Sequence, residues 1–376
     1  MATGTRIPQL TEEQLTQLAD ELDEIRRKLI DDLGDEDASY IRGIVTTQQR
    51  LEALGRALLW AGWFPPAWLA GTAALSVAKI LDNMEVGHNV MHGQYDWMGD
   101  PTLNSKMFEW DTVCPAEQWR HTHNYVHHTY TNILGKDRDI GYGLLRMLDD
   151  QRWRPYYRGN PVYAVVLMLA FEWGVMLHDL EIDRLLSGRR KWSETKGIRR
   201  QMWHKGVKQT IKDYVLFPLL SGPGAMATLT GNAVANLVRN VWAFSIIFCG
   251  HFPDGVASFT EDECEDESRG HWYYRQMLGS ANIDGGKLFH ILSGNLGFQI
   301  EHHIFPDIPA WRYQRIAPRV REICERYGLN YTTGPLGKQV GSVWRKIHRL
   351  ARRPSDHPGR LRAALPRAPK VPAEAA

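Results

Sequence analysis

Histidines set four residues apart constrain this chain more than any other feature. His88 and His92 stand at i and i+4, one face of an α-helix, so their imidazoles can close on one metal ion. His123 and His127 repeat that spacing, and His128 lies about 100° further round, within reach of a second ion. Near the C-terminal end Gln299, His302 and His303 stand at i, i+3 and i+4. Seven of the 15 histidines fall in these three stretches. An isolated His-His pair reads as a satisfied core or surface residue, whereas three clusters at helical spacing read as a metal centre. The clusters are poor in glutamate, unlike the carboxylate di-iron bundles, and the four cysteines (Cys114, Cys249, Cys264 and Cys324) form no CxxC, which argues against a structural zinc site. The same sparse cysteines fit a reducing compartment without disulfides. So many imidazoles suit iron, copper, nickel or zinc.

Composition alone describes a soluble protein, since the mean hydropathy is -0.38 and no apolar run reaches the length of a membrane span. Residues 57–81 are nevertheless almost all apolar or small, with Pro65-Pro66 in the middle, which predicts a tight turn between two helices. The second of these, over 67–86, reaches about 30 Å and delivers His88 just past its end. Further apolar stretches cover 161–177, 214–230 and 232–250. Keeping every histidine cluster on one side requires an even number of crossings between His128 and His302. The ten basic residues between His178 and Tyr214 mark that segment as cytoplasmic. Residues 214–250 therefore read as a second hairpin turning near Gly231, and 161–177, which contains Glu172, as interfacial or packed on the bundle. Asn232, Asn236 and Asn240 share one face of the last helix, and His251 falls on that face three turns later. Polar groups in a membrane helix face partners or a site, so His251 is a candidate ligand and Arg239 should pair or snorkel.

At this point the residues resemble a known family. HNVMH at 88–92, HNYVHH at 123–128 and QIEHHIFP at 299–306 are similar to the three histidine boxes of the membrane fatty acid desaturases, over roughly residues 40–350. The flanks DNMEVGHNVMHGQYDWM, FCGHFPDG and RQMLGSAN resemble most the actinobacterial acyl-CoA desaturases of the stearoyl-CoA delta-9 type. The resemblance implies an all-α membrane protein in which two transmembrane hairpins support a cytosolic helical cap holding a di-iron site. It implies two Fe2+ ions bound by His88, His92, His123, His127, His128, His251, His302 and His303, with Gln299 standing where the all-histidine third box has another ligand. It further implies dioxygen and an acyl-CoA as substrates, delta-9 desaturation of stearoyl to oleoyl, and a site facing the cytoplasm from the cytoplasmic membrane. Alternatives are a front-end acyl desaturase, a hydroxylase or ketolase with the same boxes, and a membrane protein that binds metal without redox chemistry.

Nothing in the chain supplies electrons: there is no GxGxxG after a strand, no CxxC cluster and no haem domain, so an NADPH-dependent reductase or ferredoxin is expected. Asp82, Glu85, Asn124, Asp137, Asp139 and Glu301 are candidates for hydrogen bonds that orient the ligands. Arg120, Arg152, Arg154 and Lys191 are candidates for the coenzyme A moiety, although the positive-inside pattern accounts for them equally well. A net charge of +2 and the lack of a basic block interleaved with aromatics exclude a nucleic-acid groove. Residues 1–48 read as an amphipathic helical region, 49–350 as the desaturase domain and 351–376 as a disordered basic, Pro/Ala-rich tail. The first helix starts at a Thr11–Gln14 capping box, and its stripe of Leu15, Leu18, Leu22, Ile25, Leu29 and Leu33 is expected to pack on its own domain. The opening residues 1–9 do not read as a signal peptide. His121 and His290 are expected beside the boxes or at the surface, and His178, His204, His271, His348 and His357 have no partner near in sequence.

Overall fold

The computed structural model describes residues 9–354, so the tail from residue 355 onward, with His357, lies outside the described residues. Thr11 caps the first helix, Glu12–Asp31, by accepting from the Gln14 amide at 3.2 Å while the Gln14 side chain accepts from the Thr11 amide at 2.9 Å. Leu15, Leu18 and Leu22 are buried in a core with Tyr273, Ile304 and Phe305, so the apolar stripe packs on its own domain.

Helices Asp35–Trp60 and Pro65–Ile80 form the first hairpin, with Pro65 and Pro66 opening the second arm where a missing amide costs nothing. The arms cross closely because both carry glycine at the contact: a Cβ on Gly55 would stand 2.9 Å from the Gly71 carbonyl oxygen.

The turn expected near Gly231 comes earlier in the chain. Ala225–His251 is one unbroken helix of 27 residues, and the chain reverses around Gly222–Gly224. Gly231, read as the turn, lies inside that helix. It is small because Leu59 packs on it, and a Cβ there would meet Leu59 Cδ2 at 2.7 Å. Residues 212–220 pack back on that helix, Asn236 Nδ2 donating to the Asp213 carboxylate at 3.0 Å, and the basic stretch ahead of them forms the helix Lys196–Ile211. Among the described residues, Gly222–His251 is the one straight helical segment long and apolar enough to cross a membrane.

Helices over Pro155–Leu169 and Phe171–Asp179 meet at a bend of 101°, so 161–177 is no straight span. The bend is built around the central helix: Asn240 Nδ2 donates to the Leu169 carbonyl at 3.0 Å, and Arg239 pairs with Glu172 at 2.6 Å, both side chains buried. The all-α expectation also missed one small element. Asn282–Asp284 and Thr333–Pro335 pair as parallel strands, Ile283 opposite Gly334, close to the third histidine box.

Of three π-helical segments among the described residues, Lys212–Leu216 lies away from the histidines and two lie at them. Leu81–His88 and Arg120–His127 are π-helical, each running straight into a histidine box. Such wide turns, with i→i+5 bonding, are rare and concentrate at functional sites.

Candidate metal centre

All eight box and near-box histidines converge. One ligand nitrogen from each of His88, His92, His123 and His302 lies within 4.8 Å of the others, and the same holds for His127, His251 and His303. His128 sits between the groups, its ring centroid 4.6 Å from His303, 4.7 Å from His92 and 4.8 Å from His302. The i, i+4 pair of the second box is thus divided, His123 going to one group and His127 to the other, although their rings stack at 5.1 Å.

The hydrogen bonds around these rings fit them for a cation. In the second group each Nδ1 faces an acceptor: the Asp137 carboxylate at 3.0 Å from His127, the Ile247 carbonyl at 2.7 Å from His251, and Gln276 Oε1 at 3.0 Å from His303. Nδ1 therefore carries the hydrogen in the neutral ring, and Nε2 presents a bare lone pair. Yet His127 Nε2 and His251 Nε2 are 3.1 Å apart, and His251 Nε2 and His303 Nε2 are 3.0 Å apart. Lone pairs converging at that distance repel unless something positive lies among them.

In the first group Asn89 Oδ1 faces His88 Nδ1 and Asp139 faces His123 Nδ1, both at 3.1 Å. His92 Nε2, His123 Nε2, His302 Nε2 and both nitrogens of His128 are buried with no hydrogen-bond partner. Each such orphan costs on the order of 1–3 kcal/mol, a cost that a metal ion removes. Burial holds His92, His128, His302 and His303 well below the ordinary imidazole range and so keeps them neutral, the form that ligates. Burial pushes His127 down as well, but the nearby Asp137 and Asp139 outweigh it and raise His127. The field that favours a proton there also favours a metal cation.

Asp137 and Asp139 are the two sequence candidates that touch the histidines. Asp82 accepts from the Asp111 amide at 2.8 Å, Glu85 is held by Tyr40 and Asn295, Asn124 donates to the Met91 carbonyl at 2.7 Å, and Glu301 accepts from Asn282 and Tyr331. Asp82 and Asn124 thus fix backbone near the boxes, while Glu85 and Glu301 tie neighbouring side chains to them. Sequence reasoning missed Asn89, Gln276 and Trp119, which stacks on His123 at 4.4 Å. It also missed His178, whose Nε2 lies 3.0 Å from the Asp139 carboxylate that serves His123. Asn89 and Gln276 carried a signal, since they stand in the quoted HNVMH box and RQMLGSAN flank.

His121 and His290 lie apart from both groups. His121 is exposed and stacked on Tyr125, and His290 Nε2 is held 2.9 Å from the Gly285 carbonyl. Gln299 is buried with Oε1 unpartnered and presses on the backbone beside His251: a Cβ on Gly250 would stand 2.8 Å from that oxygen.

From this cage a narrow cavity of about 50 Å³ runs between the helices. His88, His123, His251 and Gln299 line it near the cage, Phe171, Val175, Ala243 and Ile247 give it apolar walls, and Glu172, Arg239 and Asn240 also border it. His251 and Arg239 are 12 residues apart on one helix, about 18 Å. A second pocket opens at the surface, where Arg152 and Arg154 join Arg138, Arg184 and Arg189. Arg120 lies elsewhere and donates to the Ser105 carbonyl at 2.8 Å, and Lys191 is exposed outside that pocket.

A model of the fatty acid desaturase family matches residues 54–335. The chain is 49% identical over 346 residues to the NADPH-dependent stearoyl-CoA 9-desaturase of Mycobacterium tuberculosis, covering 91% of this chain and 81% of that protein. It is 28% identical over 307 residues to the sn-1 linoleoyl-lipid 6-desaturase of Synechocystis sp., covering 78% and 84% respectively. To fatty acid desaturase 3 of Homo sapiens it is 23% identical over 329 residues, 82% of this chain and 66% of that one.

Proposed function

Because the chain belongs to the fatty acid desaturase family, we propose that it desaturates an acyl-CoA, stearoyl to oleoyl, using dioxygen and two electrons from an NADPH-dependent reductase. The observation that carries this reading is the narrow apolar cavity that begins at the histidine cage, because it brings apolar walls directly up to the ligands.

His88, His92, His123 and His302 would hold one iron and His127, His251 and His303 the other, with His128 between them and Gln299 beside His251. When bound, the irons supply the dioxygen activation that strips two hydrogens from a methylene pair. Everything else falls to the protein. Asp137, Asp139, Asn89, Gln276 and the Ile247 carbonyl hold the Nδ1–H of His127, His123, His88, His303 and His251 and so aim those five Nε2 atoms inward. Trp119 fixes His123 from its open face, and Phe171, Val175, Ala243 and Ile247 confine the chain. The pocket with Arg152 and Arg154 suits the phosphates of coenzyme A.

We read 49–350 as one unit seated in the cytoplasmic membrane by both hairpins, with the cage on the cytoplasmic side. Supporting this, Leu54, Trp60, Trp63, Phe64 and Leu69 of the first hairpin and Leu219, Leu220, Met226, Leu237 and Val238 of the second are all exposed, forming an apolar belt that a bilayer would cover.

The test is direct. The purified protein should carry two irons per chain by element analysis and convert stearoyl-CoA to the oleoyl product with NADPH, a reductase and dioxygen. A single tightly held zinc, a hydroxylated product or a double bond elsewhere would overturn the reading.

Gln299 offers a finer check. Its amide oxygen is a weaker donor than imidazole. Gln299→Ala should lose part of the iron and much of the turnover, while Gln299→His should keep or gain iron. Both irons and full activity in Gln299→Ala would make Gln299 a packing residue.

A further inference from the structure

Outside the catalytic cavity, the stretch 196–212 is unusual in charge. It carries six cations and no acid. Lys205 pairs with Glu109 at 3.0 Å and Lys212 pairs with Asp111. The other four, Lys196, Arg199, Arg200 and Lys208, have no carboxylate partner among the described residues.

The helix Lys196–Ile211 also forms one wall of an apolar groove of about 410 Å³. Met202, Trp203, Val207 and Ile211 share one face of it, and Trp173 and Met176 of the helix Phe171–Asp179 stand opposite. Trp203 is 71% exposed and Ile211 49% exposed, a poor arrangement for a surface facing water. Gly206 forms the floor. A Cβ there would come no closer than 3.7 Å to Trp173, an ordinary contact, so packing does not demand glycine; its effect is to keep the groove deep.

The two ends of the groove differ in chemistry. At one end stands Arg199, set by Thr195 Oγ1 at 3.2 Å and the Trp192 carbonyl at 3.1 Å, with Lys196 and Arg200 beside it. At the other, about 18 Å down the helix, Ile211 leads into the exposed Val215, Leu216 and Leu219. The complementary molecule is an amphiphile with an anionic head and a hydrocarbon tail aligned with the helix. We propose that this groove binds an anionic membrane phospholipid, its phosphate on Arg199 and its neighbours and one acyl chain along Trp203, Gly206 and Val207.

The groove shares no lining residue with the catalytic cavity, which sets the bound lipid apart from substrate. The helix Phe171–Asp179 nevertheless serves both, with Phe171 and Val175 in the cavity and Trp173 and Met176 in the groove. An occupied groove therefore braces one wall of the cavity.

The inference rests on the membrane seating proposed above, and carbonate extraction tests that seating separately. Release into the soluble fraction would defeat the seating and the groove together. For the groove itself, the iron-loaded full chain is equilibrated with an equal mixture of phosphatidylglycerol and phosphatidylcholine, and retained lipid is read by native mass spectrometry. Phosphatidylglycerol should be retained in roughly fivefold or greater excess, the contribution of a single engaged cation. Arg199→Gln should erase the preference. Gly206→Phe should reduce retention of both lipids, whereas Gly206→Ala should leave retention unchanged. Equal retention of the two lipids by the unaltered protein means an ordinary lipid annulus and overturns the proposal. Displacement of the lipid by stearoyl-CoA makes the groove a substrate vestibule and overturns it as well.

Discussion

His251→Ala is expected to abolish turnover while leaving about half of the iron in place. His251 is the middle member of the group in which three Nε2 atoms converge, 3.1 Å from His127 and 3.0 Å from His303. Its removal leaves two ligands there and does not touch His88, His92, His123 or His302. Activity should fall by well over the 10- to 100-fold typical of losing an outer hydrogen-bond partner. Asp137→Asn supplies that milder comparison, because it weakens the hold on His127 Nδ1 while keeping every ligand. Iron per chain and turnover, measured for both variants, decide the matter. If His251→Ala keeps two irons and most of its activity, the helix end is a packing site and the second group is not a metal site.

The second large effect concerns stability. Arg239 and Glu172 form a buried pair at 2.6 Å, and Arg239 also donates to the Asp111 carbonyl and to Asn240 Oδ1, each at 3.1 Å. Arg239→Leu strands the Glu172 carboxylate, with an expected cost of about 3–5 kcal/mol. Arg239→Leu combined with Glu172→Leu removes both charges and should recover most of that loss, since replacing a whole buried pair by apolar groups is often close to neutral. Thermal inactivation of the detergent-purified variants reads the difference. A double variant no more stable than the single one would mean that the contacts to Asp111 and Asn240, rather than charge pairing, hold this bend.

The convergence of the box histidines was legible in the sequence because helical spacing turns a one-dimensional pattern into a shared face. His88 with His92 and His302 with His303 needed nothing more. His251 was reachable because Asn232, Asn236 and Asn240 mark the polar face of the helix that it ends. The partition into two groups was not legible, since His123 and His127 look equivalent by spacing and are separated only by what packs around them. Asn89, Gln276 and His178 stayed hidden for a related reason: an oriented hydrogen bond to a ring nitrogen leaves no periodicity. Gly231 misled because a glycine admitting Leu59 and a glycine permitting a turn are written with the same letter. The strand pair at Asn282–Asp284 and Thr333–Pro335 is three residues long and mid-chain on both sides, too short for alternation to show.

The π-helical runs at Leu81–His88 and Arg120–His127 bear on how this chain can change over time. A wide turn is what an α-helix becomes when it absorbs one extra residue, so the aim of each downstream histidine depends on how many residues precede it. Deleting one residue would let the segment relax to the narrower ladder and swing the imidazoles beyond it by about 100°. Drift in residue type is therefore tolerable along these segments, whereas drift in length is not. Insertions and deletions should be found in the connections between the boxes and be purged from the turns that lead into them.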